Sequence, residues 1–287
     1  MLKQRIMTAI VMLAILLAAL LAPGPWPLVL LFTLIAACAL WEWLRLTWPR
    51  QGSVLPAVLA VLLAAALLLI ARQWLADTPE AWSLALRDGV NRALLPIVAL
   101  LWIIVAGAMV LRGQAQHRSG GAWLSLFGVV AVFAVWAALV QLFLTHGAGF
   151  LVSLLALIWC ADIAAYFTGK ALGRHKLAPK VSPGKTWEGA AGGVLAATLW
   201  VLTCIAWPGS FGAVLAERWS LVMVVVIAVF LAALSIVGDL FESLLKRRAG
   251  VKDSSQLLPG HGGVYDRIDA LLPVAPLALL LTGAWVQ

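Results

Sequence analysis

The chain alternates between long apolar stretches and short breaks made of charged residues, proline or glycine. Most stretches reach about 18 residues or more, which is enough for a helix to cross roughly 30 Å of hydrocarbon. They are continuously apolar and lack the alternation of a barrel strand, so they predict membrane helices and not a closed β-barrel. Nine spans are predicted, at residues 6–22, 27–46, 54–76, 93–111, 122–144, 148–167, 188–207, 220–238 and 270–286.

Two of the breaks, 168–187 and 238–269, are long and polar, whereas the other connections are mostly short. Short connections favour antiparallel neighbouring helices. We therefore predict a single all-α membrane domain over residues 1–287. Within it, residues 1–147 would form a scaffold that could carry a dimerisation surface, and residues 148–287 would hold the catalytic helices and loops.

The composition agrees, because 64% of the residues are hydrophobic and 11% are charged. Such values are not those of a soluble domain. The first span follows two cations but is longer than a usual signal sequence and ends in Pro23-Gly24-Pro25, so we expect it to stay uncleaved. The three cysteines lie in apolar stretches without metal-ligand spacing and are expected to be small apolar fillers.

The distribution of cations predicts the orientation, because cytoplasmic loops carry an excess of Lys and Arg. With the N-terminus inside, the residues left outside are Arg72, Arg87, Arg92 and Arg218. The residues placed inside are Lys3, Arg5, Arg45, Arg50, Arg112, Arg118, Lys170, Arg174, Lys176, Lys180, Lys185, Lys246, Arg247, Arg248, Lys252 and Arg267. We therefore predict a multi-pass protein of the cell's inner membrane, with a cytoplasmic N-terminus and the C-terminus outside.

Acidic residues of the second half cluster at the predicted cytoplasmic span ends. Carboxylates at membrane depth are costly unless they are paired or bound to metal, so they are candidates for function. Each could instead neutralise a nearby cation, but the convergence of four helix ends on one face argues against that reading for the whole set. The residues concerned are Asp162, Glu188, Asp239, Glu242, Asp266 and Asp269.

The spacing of these acids suggests a metal site. Asp239 and Glu242 are three residues apart, as are Asp266 and Asp269, and helical residues at that interval share a face. Hard oxygen ligands without His or Cys suit Mg²⁺ or Mn²⁺, and a second metal ion stays open. A zinc hydrolase is not expected, because His117, His146, His175 and His261 are scattered and form no HExxH pair.

Both long loops combine cations with glycines, which suits phosphate binding. Neither contains the GxxxxGK[ST] spacing of a P-loop. The positive-inside rule and attraction to anionic lipid headgroups would explain the charge, but not the glycines or the interleaved acids. The loop segments are Ser182-Pro183-Gly184-Lys185-Thr186, Lys246-Arg247, Lys252-Asp253, Pro259-Gly260-His261-Gly262-Gly263 and Asp266-Arg267-Ile268-Asp269.

The run from Ser243 to Asp269 resembles, throughout, the signature of the phosphatidate cytidylyltransferase (CDP-diacylglycerol synthase) family, and this pattern of fixed positions is highly specific. The resemblance extends back through Ser182–Gly189 to Asp162, whereas the first half matches only in hydropathy and helix count. One departure is Gly184, where a second Lys is common in that family, so this chain has one lysine fewer in the segment.

The resemblance implies that the phosphate of phosphatidic acid attacks the α-phosphorus of CTP in phospholipid biosynthesis, releasing pyrophosphate. It implies Mg²⁺ as cofactor, membrane lipids and a second copy of the chain as partners, and no nucleic acid. Asp239 and Asp266 would bind metal, with Glu242, Asp162 and Asp269 as further ligands or as partners of nearby cations. The phosphate-clamping set would be Lys185, Lys246, Arg247, Lys252 and Arg267, with His261 as donor or turn brace, and Ser182, Thr186, Lys176, Gly262 and Gly263 as substrate-binding residues.

Two other classes compete with this reading. A secondary transporter also places polar residues within helices, but the two halves show no matching broken helices. An enzyme of the CDP-alcohol phosphotransferase type also uses Mg²⁺ near the membrane surface. Its DGxxAR…GxxxD…D pattern is absent from this sequence.

Overall fold

The computed structural model describes residues 2–48, 52–113 and 121–283 of the 287-residue chain. Arg50, His117, Arg118 and residues 284–286 of the ninth predicted span lie outside the described residues. The helices are α1 Leu2–Leu21, α2 Trp26–Thr47, α3 Leu55–Trp74, α4 Ala81–Arg112, α5 Ala122–Leu172, α6 Trp187–Cys204, α7 Phe211–Arg218, α8 Leu221–Ala249, α9 Tyr265–Ile268 and α10 Leu271–Thr282.

Six of the described helices, α2 to α6 and α8, are long and apolar enough to cross a membrane. The prediction of an all-α membrane protein is therefore confirmed. Each of the nine predicted spans falls on a described helix, but α1 has a shorter apolar segment, Ile6–Leu21, and α10 has 12 residues. The count of nine spans and the orientation of the termini stay predictions.

Helix α5 is 51 residues long and contains the fifth and sixth predicted spans. Gly147 divides it into two arms, since its backbone has φ 79° and ψ −172°. Glycine reaches positive φ at little cost because it lacks a Cβ. The chain therefore changes direction between two apolar arms at a single residue.

Helix α8 extends about three turns beyond the predicted span 220–238, ending at Ala249. Gly250, at φ 72°, closes it in the left-handed conformation typical of helix C-termini. The prediction stopped where the apolar run stops, and this boundary was wrong. The added turns carry Asp239, Glu242 and Lys246, which are therefore helical and not part of a loop.

The loop after α5 folds into an antiparallel hairpin that the sequence pattern did not predict. Strand β1, Lys176–Ala178, pairs with β2, Ser182–Thr186, and Lys176 lies opposite Thr186. The Thr186 hydroxyl then caps α6 by accepting a hydrogen bond from the Gly189 amide at 3.1 Å. The hairpin thereby delivers Lys185 next to the start of α6.

An aromatic core fixes the helix ends that carry the polar residues. The Trp43 ring of α2 lies 5.1 Å from that of Tyr265 in α9 and 5.6 Å from that of Phe241 in α8. Phe127 of α5 and Trp102 of α4 complete the cluster. Such contacts restrict the rings to particular mutual orientations. Five helices are thus held together immediately beside the polar loops.

Candidate active site

Three carboxylates meet where α8 passes the end of α9. Asp239 and Glu242 lie one turn apart on α8, and Asp269 directly follows α9. One oxygen of each lies within 4.8 Å of the others. Gly238 permits this approach, because a Cβ there would lie 2.5 Å from the Asp269 carbonyl oxygen. The predicted i, i+3 pair on α8 is therefore brought to one of the two acids of the later pair.

Two lysines lie against these acids. Lys185 Nζ from the hairpin contacts Asp239 Oδ2 at 2.5 Å. Lys246 Nζ contacts Glu242 Oε2 at 2.7 Å and Asp266 Oδ1 at 2.8 Å. The lysines thus join α8, the hairpin and α9 through partly buried ion pairs. Two cations also stand where phosphate oxygens could bind beside the acids.

The acidic cluster still has unused ligand capacity. Glu242 is 1% exposed, and its Oε1 atom has no hydrogen-bond partner among the residues that the structure describes. Burial and the neighbouring Asp239 carboxylate raise the pKa of Asp269 well above its ordinary value. Crowded carboxylates repel one another, and a hard dication would relieve that repulsion while using the free oxygen. The residues present therefore fit Mg²⁺.

Asp266, three residues before Asp269, has hydrogen-bond partners of its own. Its Oδ2 atom accepts hydrogen bonds from the Gly263 amide at 2.7 Å and from the Ser254 hydroxyl at 3.1 Å. Burial raises the pKa of Asp266, but the hydrogen bonds with Glu242, Lys246 and the Gly263 amide outweigh burial and hold this pKa well below its usual range. Asp266 is thus an ionised acceptor that orders the glycine-rich loop, defined as residues 250–264.

The glycine-rich loop doubles back on itself in a tight turn. Leu258 and Gly262 form a single antiparallel bridge, and Gly260 and Gly262 have φ of 75° and 82°. Arg267 Nη2 donates to the His261 carbonyl oxygen at 2.7 Å and so supports the turn. The predicted loop residues are therefore gathered beside Asp266, with the exposed Arg267 side chain spanning them.

The remaining predicted site residues lie around the acidic cluster or farther from it. Arg247 Nε donates to the Val181 carbonyl oxygen at 3.3 Å, joining α8 to the hairpin. Asp162, on the second arm of α5, interacts electrostatically with Asp239 and Lys185. Ser182 is half-buried, Thr186 caps α6, and Lys176 and Lys252 are exposed. Glu188 lies apart from the acidic cluster, since its Oε1 contacts His175 Nδ1 at 2.6 Å.

The sequence interpretation missed Glu42, which contacts this site, as well as Ser254, whose hydroxyl donates to Asp266. Glu42, on α2, is fully buried and accepts hydrogen bonds only from residues between Ser254 and Tyr265 among the bonds described. A signal was present, since Glu42 is an acid inside a predicted membrane span, and such residues are functional candidates. It was passed over because the first half matched the family only in hydropathy.

The structure thus defines an integral membrane protein with a polar site of carboxylates and lysines where α8, α9 and the hairpin meet. A profile of the cytidylyltransferase family matches residues 3–285, and the chain belongs to that family. It is accordingly an enzyme that transfers a nucleotidyl group. This favours the enzyme over the transporter considered above.

Relatives are similar to this chain over 96% to 99% of its length. A phosphatidate cytidylyltransferase of Pseudomonas aeruginosa is 39% identical, covering 99% of each chain. That of Haemophilus influenzae is 35% identical, covering 96% of each chain. That of Bacillus subtilis is 33% identical, covering 97% of each chain. The similarity therefore includes the first half, where the sequence interpretation found only hydropathy.

Proposed function

We propose that this chain joins CTP and phosphatidic acid to give CDP-diacylglycerol and pyrophosphate, in phospholipid biosynthesis. The observation that carries the proposal is the cluster of Asp239, Glu242 and Asp269 flanked by Lys185 and Lys246. Family membership and three relatives that carry the name phosphatidate cytidylyltransferase support it.

In this reaction a phosphate oxygen of phosphatidic acid forms a bond to the α-phosphorus of CTP. The bond from that phosphorus to the oxygen bridging to the β-phosphate breaks, and pyrophosphate leaves. Both reactants are anions, so the protein must neutralise charge and align the two phosphates. Lys185 and Lys246 can exchange a carboxylate partner for a phosphate oxygen without moving far, since each is held within 3 Å of the acidic cluster.

The cofactor proposed is Mg²⁺, held by Asp239, Glu242 and Asp269, with Asp162 and Asp266 close by. When bound, it would neutralise phosphate charge that develops during transfer. Asp266 keeps Lys246 and the Gly263 amide in place through its two oxygens. From the side of the glycine-rich loop, the substrates would be contacted by the glycine turn, Arg267 and Lys252. Arg247 would hold the hairpin against α8. A second metal ion stays a prediction.

The proposed setting is the inner membrane of a bacterium, crossed nine times, with the N-terminus and the site in the cytoplasm and the C-terminus outside. The positive charge of the two long loops supports this orientation. The same proposal includes a homodimer, a scaffold role for residues 1–147 and no binding of nucleic acid.

Labelling single cysteines tests the topology: Lys180→Cys should react from the cytoplasm only, and Pro208→Cys from outside only. Reaction of both from one side would contradict the orientation.

The activity is tested with purified protein in detergent, supplied with CTP, phosphatidic acid and Mg²⁺. We expect CDP-diacylglycerol and pyrophosphate in equal amounts, and no turnover in EDTA until Mg²⁺ is restored. Labelled pyrophosphate should also enter CTP only when phosphatidic acid is present, which would separate this reaction from transport and from CDP-alcohol phosphotransfer. Absence of CDP-diacylglycerol with intact, monodisperse protein would refute the proposal.

A further inference from the structure

Glu42 lies in the first half of the chain, yet its contacts are with the glycine-rich loop and the start of α9. It is on α2, and its side chain is fully buried. Its Oε1 atom accepts from the Ser255 hydroxyl at 2.5 Å and from the Val264 amide at 3.0 Å. Its Oε2 atom accepts from the Ser254 hydroxyl at 3.0 Å and from the Tyr265 amide at 2.6 Å.

Four donors nearly exhaust the acceptor capacity of a carboxylate, which has about four lone-pair sites. The donors come from both ends of the glycine-rich loop, Ser254 and Ser255 at one end and Val264 and Tyr265 at the other. A single side chain therefore fixes the distance between the two ends of the loop. A buried charge satisfied by several donors is also costly to disturb, because the remaining donors lose their partner.

The contacts of Glu42 continue directly into the acidic cluster. The Ser254 hydroxyl lies 3.0 Å from Glu42 Oε2 and 3.1 Å from Asp266 Oδ2, so its single proton can serve either acid. Asp266 in turn holds Lys246, which contacts Glu242. Displacing Glu42 would therefore shift the groups proposed to face the phosphates.

Gly263 shows how closely the loop backbone is fitted to Glu42. A Cβ at this position would lie 2.5 Å from Glu42 Oε2 and would overlap the Ser254 hydroxyl. Gly263 also donates its amide to Asp266 at 2.7 Å. The loop is thus pressed between two carboxylates, one from α2 and one from α9, and its conformation depends on both.

We infer that Glu42 is a positioning residue: its carboxylate fixes the glycine-rich loop so that Asp266 and Lys246 stand correctly for nucleotidyl transfer. The inference rests on the proposed function for its kinetic consequence, and on the described hydrogen bonds for the ordering of the loop. Misplacement of groups by about 1 Å can cost on the order of 100-fold in rate.

The first experiment compares Glu42→Gln with Glu217→Gln, an exposed acid on α7 that serves as a matched control. We expect kcat of Glu42→Gln to fall by about 10- to 100-fold at saturating CTP, phosphatidic acid and Mg²⁺. The KM values should change much less, because positioning acts on the transition state. The shorter Glu42→Asp should recover part of kcat. A Glu42→Gln protein with a depressed melting temperature but wild-type kcat would overturn the inference.

A double-mutant cycle tests whether Glu42 acts through the loop hydroxyls. Ser255→Ala removes one donor and keeps the charge, so we expect a smaller loss of kcat, of about 3- to 10-fold. In the Glu42→Gln background the same change should have almost no further effect, since contacting residues are not additive. If Glu42→Gln does not fold, Ser255→Ala and Glu42→Asp carry the test, and wild-type kcat in both would refute it.

Hydrogen exchange gives a readout that does not depend on turnover. Peptides covering residues 254–265 should exchange faster in Glu42→Gln than in the wild type, because the Val264 and Tyr265 amides lose their acceptor. Glu217→Gln should leave these peptides unchanged. Unaltered exchange at 254–265 would refute the positioning role even if the wild type were active. If Glu42→Gln exchanges faster at 254–265 but the wild type makes no CDP-diacylglycerol, the result counts against the proposed function and leaves the ordering of the loop by Glu42 intact.

Discussion

Polar contacts gather beside both ends of α8, but the contacts differ in kind. At the first end, called here the sealed end, Trp219 Nε1 donates to the Leu281 carbonyl oxygen at 2.9 Å. Arg218 donates to the Thr282 carbonyl oxygen at 3.2 Å, and the Ser153 hydroxyl accepts from the Phe211 amide at 2.8 Å. These contacts use backbone groups of neighbouring helices, and they tie α5, α7 and α10 together.

The other end, called the acidic end, gathers Asp239, Glu242 and Asp269. Within the described part of the chain, one buried oxygen of Glu242 has no hydrogen-bond partner there. The two ends are about 20 residues apart, roughly 30 Å along a helix. Contacts between partnered groups stabilise a fold, whereas crowded acids with spare acceptors cost free energy until a cation or substrate arrives. The comparison predicts that substitutions at the acidic end affect turnover and those at the sealed end affect stability.

The largest effect is expected for Asp239→Asn at the acidic end. The amide keeps the shape but binds a hard dication poorly and loses the ion pair with Lys185. We expect kcat to fall at least about 100-fold, about 2.7 kcal/mol, with little change in melting temperature. Asp88→Asn, which breaks an exposed pair with Arg92, serves as the control and should stay near wild type. An Asp239→Asn enzyme with more than a tenth of wild-type activity would remove Asp239 from the proposed ligand set.

A smaller effect is expected for Gly263→Ala in the glycine-rich loop. The added methyl group would collide with the Ser254 hydroxyl and the Glu42 carboxylate, so the backbone must move. We expect a loss of about tenfold or more in kcat, measured at saturating substrates. Gly184→Ala is the matched control, because a Cβ there would meet no atom of the described residues within 4 Å. Equal activities of the two variants would show that the loop adapts freely.

At the sealed end, Ser153→Ala tests the other side of the comparison. It removes the acceptor for the Phe211 amide and should cost about 1 kcal/mol of stability. The melting temperature should fall by a few degrees, while kcat of the folded enzyme stays within twofold. A large loss of kcat without a change in melting temperature would break the division between the two ends.

The smallest effect is expected for Gly184→Lys, which introduces the second lysine expected at this position from the family resemblance. Gly184 is exposed on β2 next to Lys185, and the space around it is open. An added cation there should lower KM for CTP or phosphatidic acid by a few fold at low salt, and less at high salt. Unchanged KM at both salt concentrations would show that this position lies away from the phosphates.

Helix positions were well predicted from sequence because continuous apolar runs of membrane length have few alternative structures. Helix ends were predicted less well where a helix continues beyond its apolar run and packs against other parts of the protein. Helix α8 continues through charged residues as far as Arg248 because its later turns pack against the hairpin and the loop. The hairpin pairs two strands of three and five residues, and the sequence has no strong alternating pattern there that would predict them.

The sequence named several residues that the structure brings together, such as Asp239, Glu242 and Lys185, but not how they are arranged. The i, i+3 rule held for Asp239 and Glu242, which lie within a long helix. Asp266 and Asp269 are also joined by helical backbone, since the Asp269 amide donates to the Tyr265 carbonyl oxygen at 3.0 Å, but only Asp269 lies in the cluster with Asp239 and Glu242. Glu42 could be placed near the site only by knowing which distant helix packs beside the loop, and sequence spacing does not contain that information.

The Glu42 contacts also bear on how the chain is assembled. They join residues 212 to 223 positions apart, and the Thr8 hydroxyl of α1 donates to the Pro259 carbonyl oxygen over 251 positions. A chain that is inserted from its N-terminus cannot form them until its last helices have left the ribosome. Contacts of such separation form late, since a long loop must close first. The glycine-rich loop should therefore be among the last parts to become ordered, and chains truncated before α9 would insert their first helices around an unsatisfied buried carboxylate.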